Sequence, residues 1–232
     1  MTEKHTDREY EKELTTLRER LLLMAGRVEQ MIAQAVKAFV ERDMDTARQV
    51  VSSDRLVDRD EVEIDRHCLV ILAKRQPMAS DLRFITIALK MVTDLERIGD
   101  LAVNLCERAV DLSGAAQVLR ADSIAAMGRM VEEMVRDSID AFVEGDIGKA
   151  RAVLARDREV DLLYHATFRE VLARMRAEES LVETGIHVQS AAKLLERMGD
   201  HATNVAEQVV YMVEGRDIRH SSDGALGSIP AT

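Results

Sequence analysis

Tryptophan is absent from this chain of 232 residues, aromatic residues make up 3% of it, and it holds only 2 prolines and 2 cysteines. With so little proline, long stretches run without the residue that most strongly breaks a helix. Cys68 and Cys106 are too few for a disulfide framework, and both stand inside helical patterns. They read as reduced core thiols of a cytosolic protein. Positive charge is also short, with 32 Lys and Arg against 42 Asp and Glu and a net charge of −10. A nucleic-acid partner is therefore not expected, because phosphate contacts need a surplus of Lys and Arg. No apolar run approaches the roughly 18–20 residues that cross a bilayer. The opening Met1-Thr2-Glu3-Lys4-His5 lacks the apolar core of a signal peptide, so a cytoplasmic chain without membrane insertion is expected. No Gly-x-x-x-x-Gly-Lys-Ser/Thr loop, Ser/His/Asp group or Cys/His group is legible. These absences point away from an enzyme.

What is present is a phrase written twice. Leu95-Glu96-Arg97-Ile98-Gly99-Asp100-Leu101-Ala102-Val103-Asn104 returns as Leu195-Glu196-Arg197-Met198-Gly199-Asp200-His201-Ala202-Thr203-Asn204, at an offset of 196 − 96 = 100, with Glu107 and Glu207 in the same register. Earlier in each half the offset is 141 − 38 = 103, carrying Ala38-Phe39-Val40-Glu41 onto Ala141-Phe142-Val143-Glu144 and Asp54-Arg55 onto Asp157-Arg158. The chain is one unit duplicated, and the polar residues kept in both copies are the best candidates for a site.

Apolar residues recur at three- and four-residue spacing, without sustained alternation, so both halves read as helical. Thr6-x-x-Glu9 reads as a capping box opening a helix that runs to about Arg42, and Asp43 as the cap of the next. Gly145-Asp146 repeats that junction. The second helix should stop before Pro77, because the residue ahead of a proline is pushed out of the helical region. Ser80 should cap the third helix, and Ser180, in a capping box with Glu183, the sixth. Six long antiparallel helices result, an all-α fold of two tandem, pseudo-symmetric three-helix bundles. The expected bounds are 1–113 for the first bundle, 114–215 for the second and 216–232 for a flexible tail.

In the third helix Phe84, Ile87, Met91, Leu95, Ile98, Ala102, Leu105 and Ala109 form the core stripe. A second stripe of Leu82, Ile85, Leu89 and Val92 predicts a homodimer if the core already occupies the other side, the alternative being burial against the third helix of its own bundle. That stripe turns into Glu96, Asp100, Asn104 and Glu107. Carboxylates four apart repel by a few tenths of a kcal/mol, roughly, unless a cation lies between them. Gly99 and Gly199 sit mid-helix at about 1 kcal/mol each against alanine, so close approach of a neighbouring backbone or a bound ion is expected there. Asp54, Asp58, Glu61 and Asp65 occupy one arc of the second helix, of which Asp157 and Asp161 survive in the other half beside Tyr164, Phe168 and His165. Candidate metal ligands are Glu96, Asp100, Asn104, Glu196, Asp200 and Asn204, with Asp58, Asp161, Glu107 and Glu207 weaker. Oxygen donors suit Mg, Mn or Fe better than Zn, though Zn stays among the candidates. The alternative is a solvated acidic face satisfied by Arg55, Arg97, Arg108 and Arg197. His187 falls on the core stripe, which argues against histidine phosphotransfer; His67 lacks zinc-like spacing, and His201 takes the place of Leu101 without a role.

Ala73-Lys74-Arg75-Gln76-Pro77-x-Ala79-Ser80-Asp81-Leu82-Arg83, followed by the Leu95–Asp100 phrase, resembles the PhoU family from about Glu11 to Val213. The resemblance implies a non-enzymatic regulator that restrains phosphate uptake and keeps the phosphate-starvation response off. It implies as partners the ATPase subunit of a phosphate ABC transporter and a sensor histidine kinase, which could hold the protein at the inner membrane. It implies, for some members, metal clusters on the motifs that fall here on Glu96 with Asp100 and Glu196 with Asp200. A metal-storage bundle without a signalling role is the alternative. The Arg-Gln-Pro joint has no second copy, since Met175-Arg176-Ala177-Glu178 stands there instead.

Overall fold

The computed structural model of the chain describes residues 2–112, 114 and 120–215, and side chains from residue 8 onward. Six helices account for nearly all of it: α1 (Thr2–Glu41), α2 (Met44–Arg75), α3 (Ala79–Asp111), α4 (Ala121–Glu144), α5 (Ile147–Ala177) and α6 (Val182–Glu214). A single 3₁₀ turn, Glu179–Leu181, precedes α6, and no strand occurs among the described residues. The expected tail, 216–232, lies outside them.

Each half is a three-helix bundle whose buried face follows the periodicity. The whole stripe from Phe84 to Ala109 is buried, as are Val57, Ile64, Cys68 and Ile71 on α2. Both cysteines are free and buried, and burial pushes each thiol up to about 12.

The bundles lie side by side rather than end to end. α1 packs along α4 and α3 along α6, so the buried side chains form one continuous core through both halves. Phe84 of α3 stacks on Phe142 of α4 at 4.7 Å between ring centroids, with the Arg18 guanidinium of α1 4.7 Å from the Phe84 ring. Burial corrects the homodimer reading of the second stripe on α3. Ile85 and Val92 are fully buried and Leu89, partly buried, packs against the core, while Leu82 is 42% exposed. Val92 lies two turns from Gly99 on the same face of α3, and that face meets Val57 and Asp54 of α2 and Met31 of α1, so the stripe is covered within its own bundle, which removes it as a homodimer contact.

Helix ends match expectation where a side chain has a free backbone N–H to serve. Asp43 accepts from the backbone N–H of Asp45 and Thr46, and Asp146 from that of Lys149. Gly145 ends α4 at φ 68°, whereas its counterpart Arg42 takes the same left-handed turn at φ 57°. α2 ends at Arg75, two residues ahead of Pro77. Three expected caps are corrected. Helix α1 already begins at Thr2, so Thr6 lies within it rather than before it. The extended backbone at Met78 opens α3 ahead of Ser80, with no side-chain cap. Ser180 sits in the 3₁₀ turn and donates to Glu178 instead of capping α6.

The Arg-Gln-Pro joint is held from outside. The Arg75 guanidinium donates to Glu13 at 2.9 Å and to Glu9 at 3.2 Å, tying the end of α2 to α1 while Gln76 turns left-handed at φ 48°. That guanidinium holds the Glu13 carboxyl below its ordinary range.

Candidate functional site

The two acidic arcs face each other. Asp54, Asp58 and Glu61 on α2 lie close enough to Glu96 and Asp100 on α3 for each set to act on the other. The carboxyl of Asp54 is pushed up by burial, then by Asp58 and Asp100. That of Glu61 rises through burial, Asp65 and Asp58, with Arg97 opposing. That of Glu96 rises through burial and Asp100, again with Arg97 opposing. Asp65, one turn on, rises through burial alone, and its Oδ1 is buried without a hydrogen-bond partner. The compensating cation is Arg97, 3.5 Å from Glu96 and 3.4 Å from Asp100 but itself 59% exposed. Contacts that exposed hold little energy.

The second half repeats the arrangement with fewer acids. Burial, Glu196, Asp157 and Asp161 push the Asp200 carboxyl up to about 6, against Lys193. Asp157 is raised by burial and Asp161, with Thr203 opposing. Lys193 takes the place of Arg97 as counter-ion, 2.6 Å from Glu196 and 5.5 Å from the Tyr164 ring centroid. His165 is exposed beside Tyr164.

Gly99 and Gly199 face these carboxylates. A methyl group at 99 would meet Val57 at 3.5 Å and Asp54 Oδ1 at 3.6 Å; one at 199 would meet Asp157 Oδ1 at 3.7 Å. No neighbouring backbone crowds either position, so close backbone approach does not explain the glycines. What they leave is room beside one acid of each cluster.

The remaining candidates scatter. Asn104 is exposed. Glu107 sits 3.5 Å from Arg108, and Glu207 is half-buried. Asn204 turns to the other half of the chain, donating to Asp94 Oδ1 at 3.4 Å. There it joins two residues that sequence reasoning passed over: His201 Nδ1 lies 2.9 Å from Asp94 Oδ1, and Gln208 donates to Asp94 Oδ2 at 3.4 Å. The signal for this hub was a mismatch in the repeat, since Asp94 aligns with Leu194 and His201 with Leu101. His187 also sits at this inter-bundle seam, half-buried, 3.7 Å from Asp111, rather than in the core.

Electrostatically each cluster favours a cation: partly desolvated carboxylates, raised by one another, are relieved by a positive charge. Geometrically neither is a preformed centre, because among the described residues no three His, Cys, Asp or Glu side chains are arranged to hold a metal ion.

Comparison with known proteins matches the PhoU domain twice in this chain, over residues 21–109 and 124–209. The chain is 39% identical over 217 residues to the phosphate-specific transport system accessory protein PhoU homolog of Pseudomonas putida, covering 93% of this chain and 85% of that protein. Its fold is similar to the crystal structure of PhoU from Pseudomonas aeruginosa, with a TM-score of 0.85 at 38% identity over 89% of this chain and 100% of the other. It is also similar to the phosphate transport system regulatory protein PhoU from Streptococcus pneumoniae, with a TM-score of 0.84 at 26% identity over 90% and 99% of the two chains.

Proposed function

The chain belongs to the PhoU family, and from that membership we propose that it is an accessory protein of phosphate-specific transport that restrains phosphate uptake and holds the phosphate-starvation response off when phosphate is plentiful. It does so without catalysis, as an adaptor between the ATPase subunit of the phosphate ABC transporter and a sensor histidine kinase. The match across both copies of the repeat carries this reading. Long rigid helices with polar outer faces are suited to docking two partners at once. Among the described residues no helix is long and apolar enough to cross a membrane, so a cytoplasmic protein attached at the inner membrane through those partners fits the reading. The test is pull-down with the ATPase subunit and with the kinase at high and low phosphate, beside phosphate uptake in cells lacking the chain. Retention by both and derepressed uptake are expected; retention by neither, with unchanged uptake, defeats the proposal.

A second reading makes the acidic clusters cation sites, supported by the raised carboxyls of Glu96, Asp157 and Asp200. The ligands would be Glu96 and Asp100 with Asp54 and Asp58, and Glu196 and Asp200 with Asp157 and Asp161, for Mg, Mn or Fe in preference to Zn. Since the donors do not converge on a point, binding would require them to close on the ion. Alanine at 99 and 199 separates stability from binding. Each methyl meets its neighbours at ordinary contact, so the double variant should gain up to about 2 kcal/mol in urea unfolding, from about 1 kcal/mol per glycine removed. It should also lose divalent-cation affinity in titration calorimetry. Unchanged affinity, or none in wild type, removes the cation reading and leaves the adaptor.

A further inference from the structure

A groove runs along the outer face of the first bundle between α1 and α2. One stretch of about 370 Å³ is lined by Arg20, Glu63, Arg66, His67 and Val70. A second stretch of about 360 Å³ continues it past Arg27, Arg59 and the exposed Leu23, sharing Arg20 and Glu63. In a chain of net charge −10, four arginines here face two acids, Asp60 and Glu63. Arg20 pairs with Glu63 at 3.4 Å, and Arg27 with Asp60. Neither Arg59 nor Arg66 forms an ion pair among the described residues. His67 lines the floor with a buried Nδ1 that has no hydrogen-bond partner, and burial and the Arg20 charge hold its ring below the ordinary range. Apolar side chains reach the groove as well: Leu23 is 55% exposed and Val70 is half-buried.

The duplicated half shows that the fold does not require this surface. At the offset of 141 − 38 = 103, Arg20, Arg27, Arg59 and Glu63 become Ser123, Met130, Leu162 and Ala166, and only Arg66 keeps its charge type, as Arg169. Core positions of the same helices are meanwhile retained, such as Met24 and Met127 or Val28 and Val131, all fully buried. The packing of α1 on α2 is therefore available without arginines, and the basic groove is an addition to one half.

We propose that the α1–α2 groove, lined by Arg20, Arg59, Arg66 and His67 with Leu23 and Val70, docks an acidic amphipathic segment of a partner protein. Charge complementarity selects carboxylates, since this is a local positive strip on an acidic molecule. Leu23 and Val70 select a segment with Leu or Phe beside its acids over an inorganic anion, which would leave both uncovered. From Arg20 to Arg27 the groove spans seven residues of α1, about 10 Å, or two turns of a docked helix. The pair Arg20–Glu63, with side chains 42% and 56% exposed, exchanges partners readily, because exposed ion pairs are weak. The inference is independent of the acidic clusters, which lie on α2 and α3, and of which partner the family membership implies.

The test uses the full chain and a fluorescein-labelled synthetic helix with Glu and Leu at alternate faces, followed by anisotropy. A Lys-for-Glu peptide, inorganic phosphate and anionic phosphatidylglycerol vesicles serve as competing probes. Binding of the acidic peptide is expected, weakened by salt and at least tenfold by Arg59→Glu/Arg66→Glu. Leu23→Ser should weaken it less, and Arg169→Glu in the other half should leave it unchanged. The substituted groove residues are solvent-exposed, and helical circular dichroism verifies the fold of each variant. No peptide binding, equal binding by Arg59→Glu/Arg66→Glu, or groove-dependent binding of phosphate or vesicles in place of the peptide overturns the proposal.

Discussion

In register, the two bundles agree where side chains are buried and diverge where they meet each other or solvent. Met31 and Met134, Phe39 and Phe142, Leu95 and Leu195 are matched pairs inside. The seam between the bundles is different. There Asp94 of α3 gathers His201, Asn204 and Gln208 of α6, while the exchanged positions, Leu194 and Leu101, are apolar. A duplicated chain starts with a symmetric seam, and this one has placed a polar hub on one side of the pseudo-twofold and leucine on the other. Packing constrains the core twice over; the seam needs only that each contact be complementary in itself.

The largest effect should come from breaking that hub on one side only. Asp94→Leu leaves the His201, Asn204 and Gln208 groups without their acceptor in a half-buried seam, a loss of about 1–3 kcal/mol. Adding His201→Leu copies the Leu101/Leu194 pattern and should recover the share due to His201, because replacing both partners by apolar groups is close to neutral, while Asn204 and Gln208 stay without their acceptor. Urea unfolding of the two single variants and the double variant measures the coupling. Additive losses would mean the hub is not a coupled unit.

A smaller effect is expected where α1 crosses α4. A methyl group on Gly128 would stand 2.5 and 2.9 Å from the Val36 methyls, whereas the duplicate of Gly128 is Ala25, already buried. Gly128→Ala should lower stability by about 1–2 kcal/mol, the strain of overpacking exceeding a helix-propensity gain of about 1 kcal/mol. Val36→Ala in the same chain should remove the strain. A Gly128→Ala variant as stable as wild type would show that the crossing is loose.

Periodicity located the core of α3 from Phe84 to Ala109 because burial on a helix follows one face, whatever covers it. For the same reason it misplaced Ile85 and Val92: a stripe records that a face is covered and not which neighbour covers it. The acid ladder at Glu96 and Asp100 and the arc from Asp54 to Asp65 were each legible, since both are local spacings on one helix. That they oppose each other across α2 and α3 depends on the rotation of two packed helices, which neither spacing contains. Caps followed the same rule. Asp43 and Asp146 were readable because the acceptor lies within three residues of its donors. Ser80 and Ser180 were misread because the backbone after Pro77 and the 3₁₀ turn at Glu179 set the helix starts. His201 was dismissed for breaking the repeat, and that break is what marks the seam.

The smallest effect separates the acidic clusters by pH. Asp200 titrates near 6 in the folded chain, above its ordinary 3.8, because burial and the charges of Glu196, Asp157 and Asp161 disfavour its ionised form. A raised carboxyl means the folded state binds more protons than the unfolded one between about 4 and about 6, so this group lowers stability as pH rises through that window. The penalty is complete above it. Asp200→Asn removes the charge and should stabilise the chain at neutral pH by about 1 kcal/mol, a figure discounted for the solvent that reaches this side chain. The difference from wild type should shrink as pH falls towards about 4, where the carboxyl is protonated in the folded chain. Urea unfolding across that range checks the sign. A gain that is independent of pH would come from packing and not from relieved repulsion. A wild-type chain that closes the gap when Mg²⁺ is added, while Asp200→Asn does not respond, would tie the repulsion to a cation that the second cluster binds.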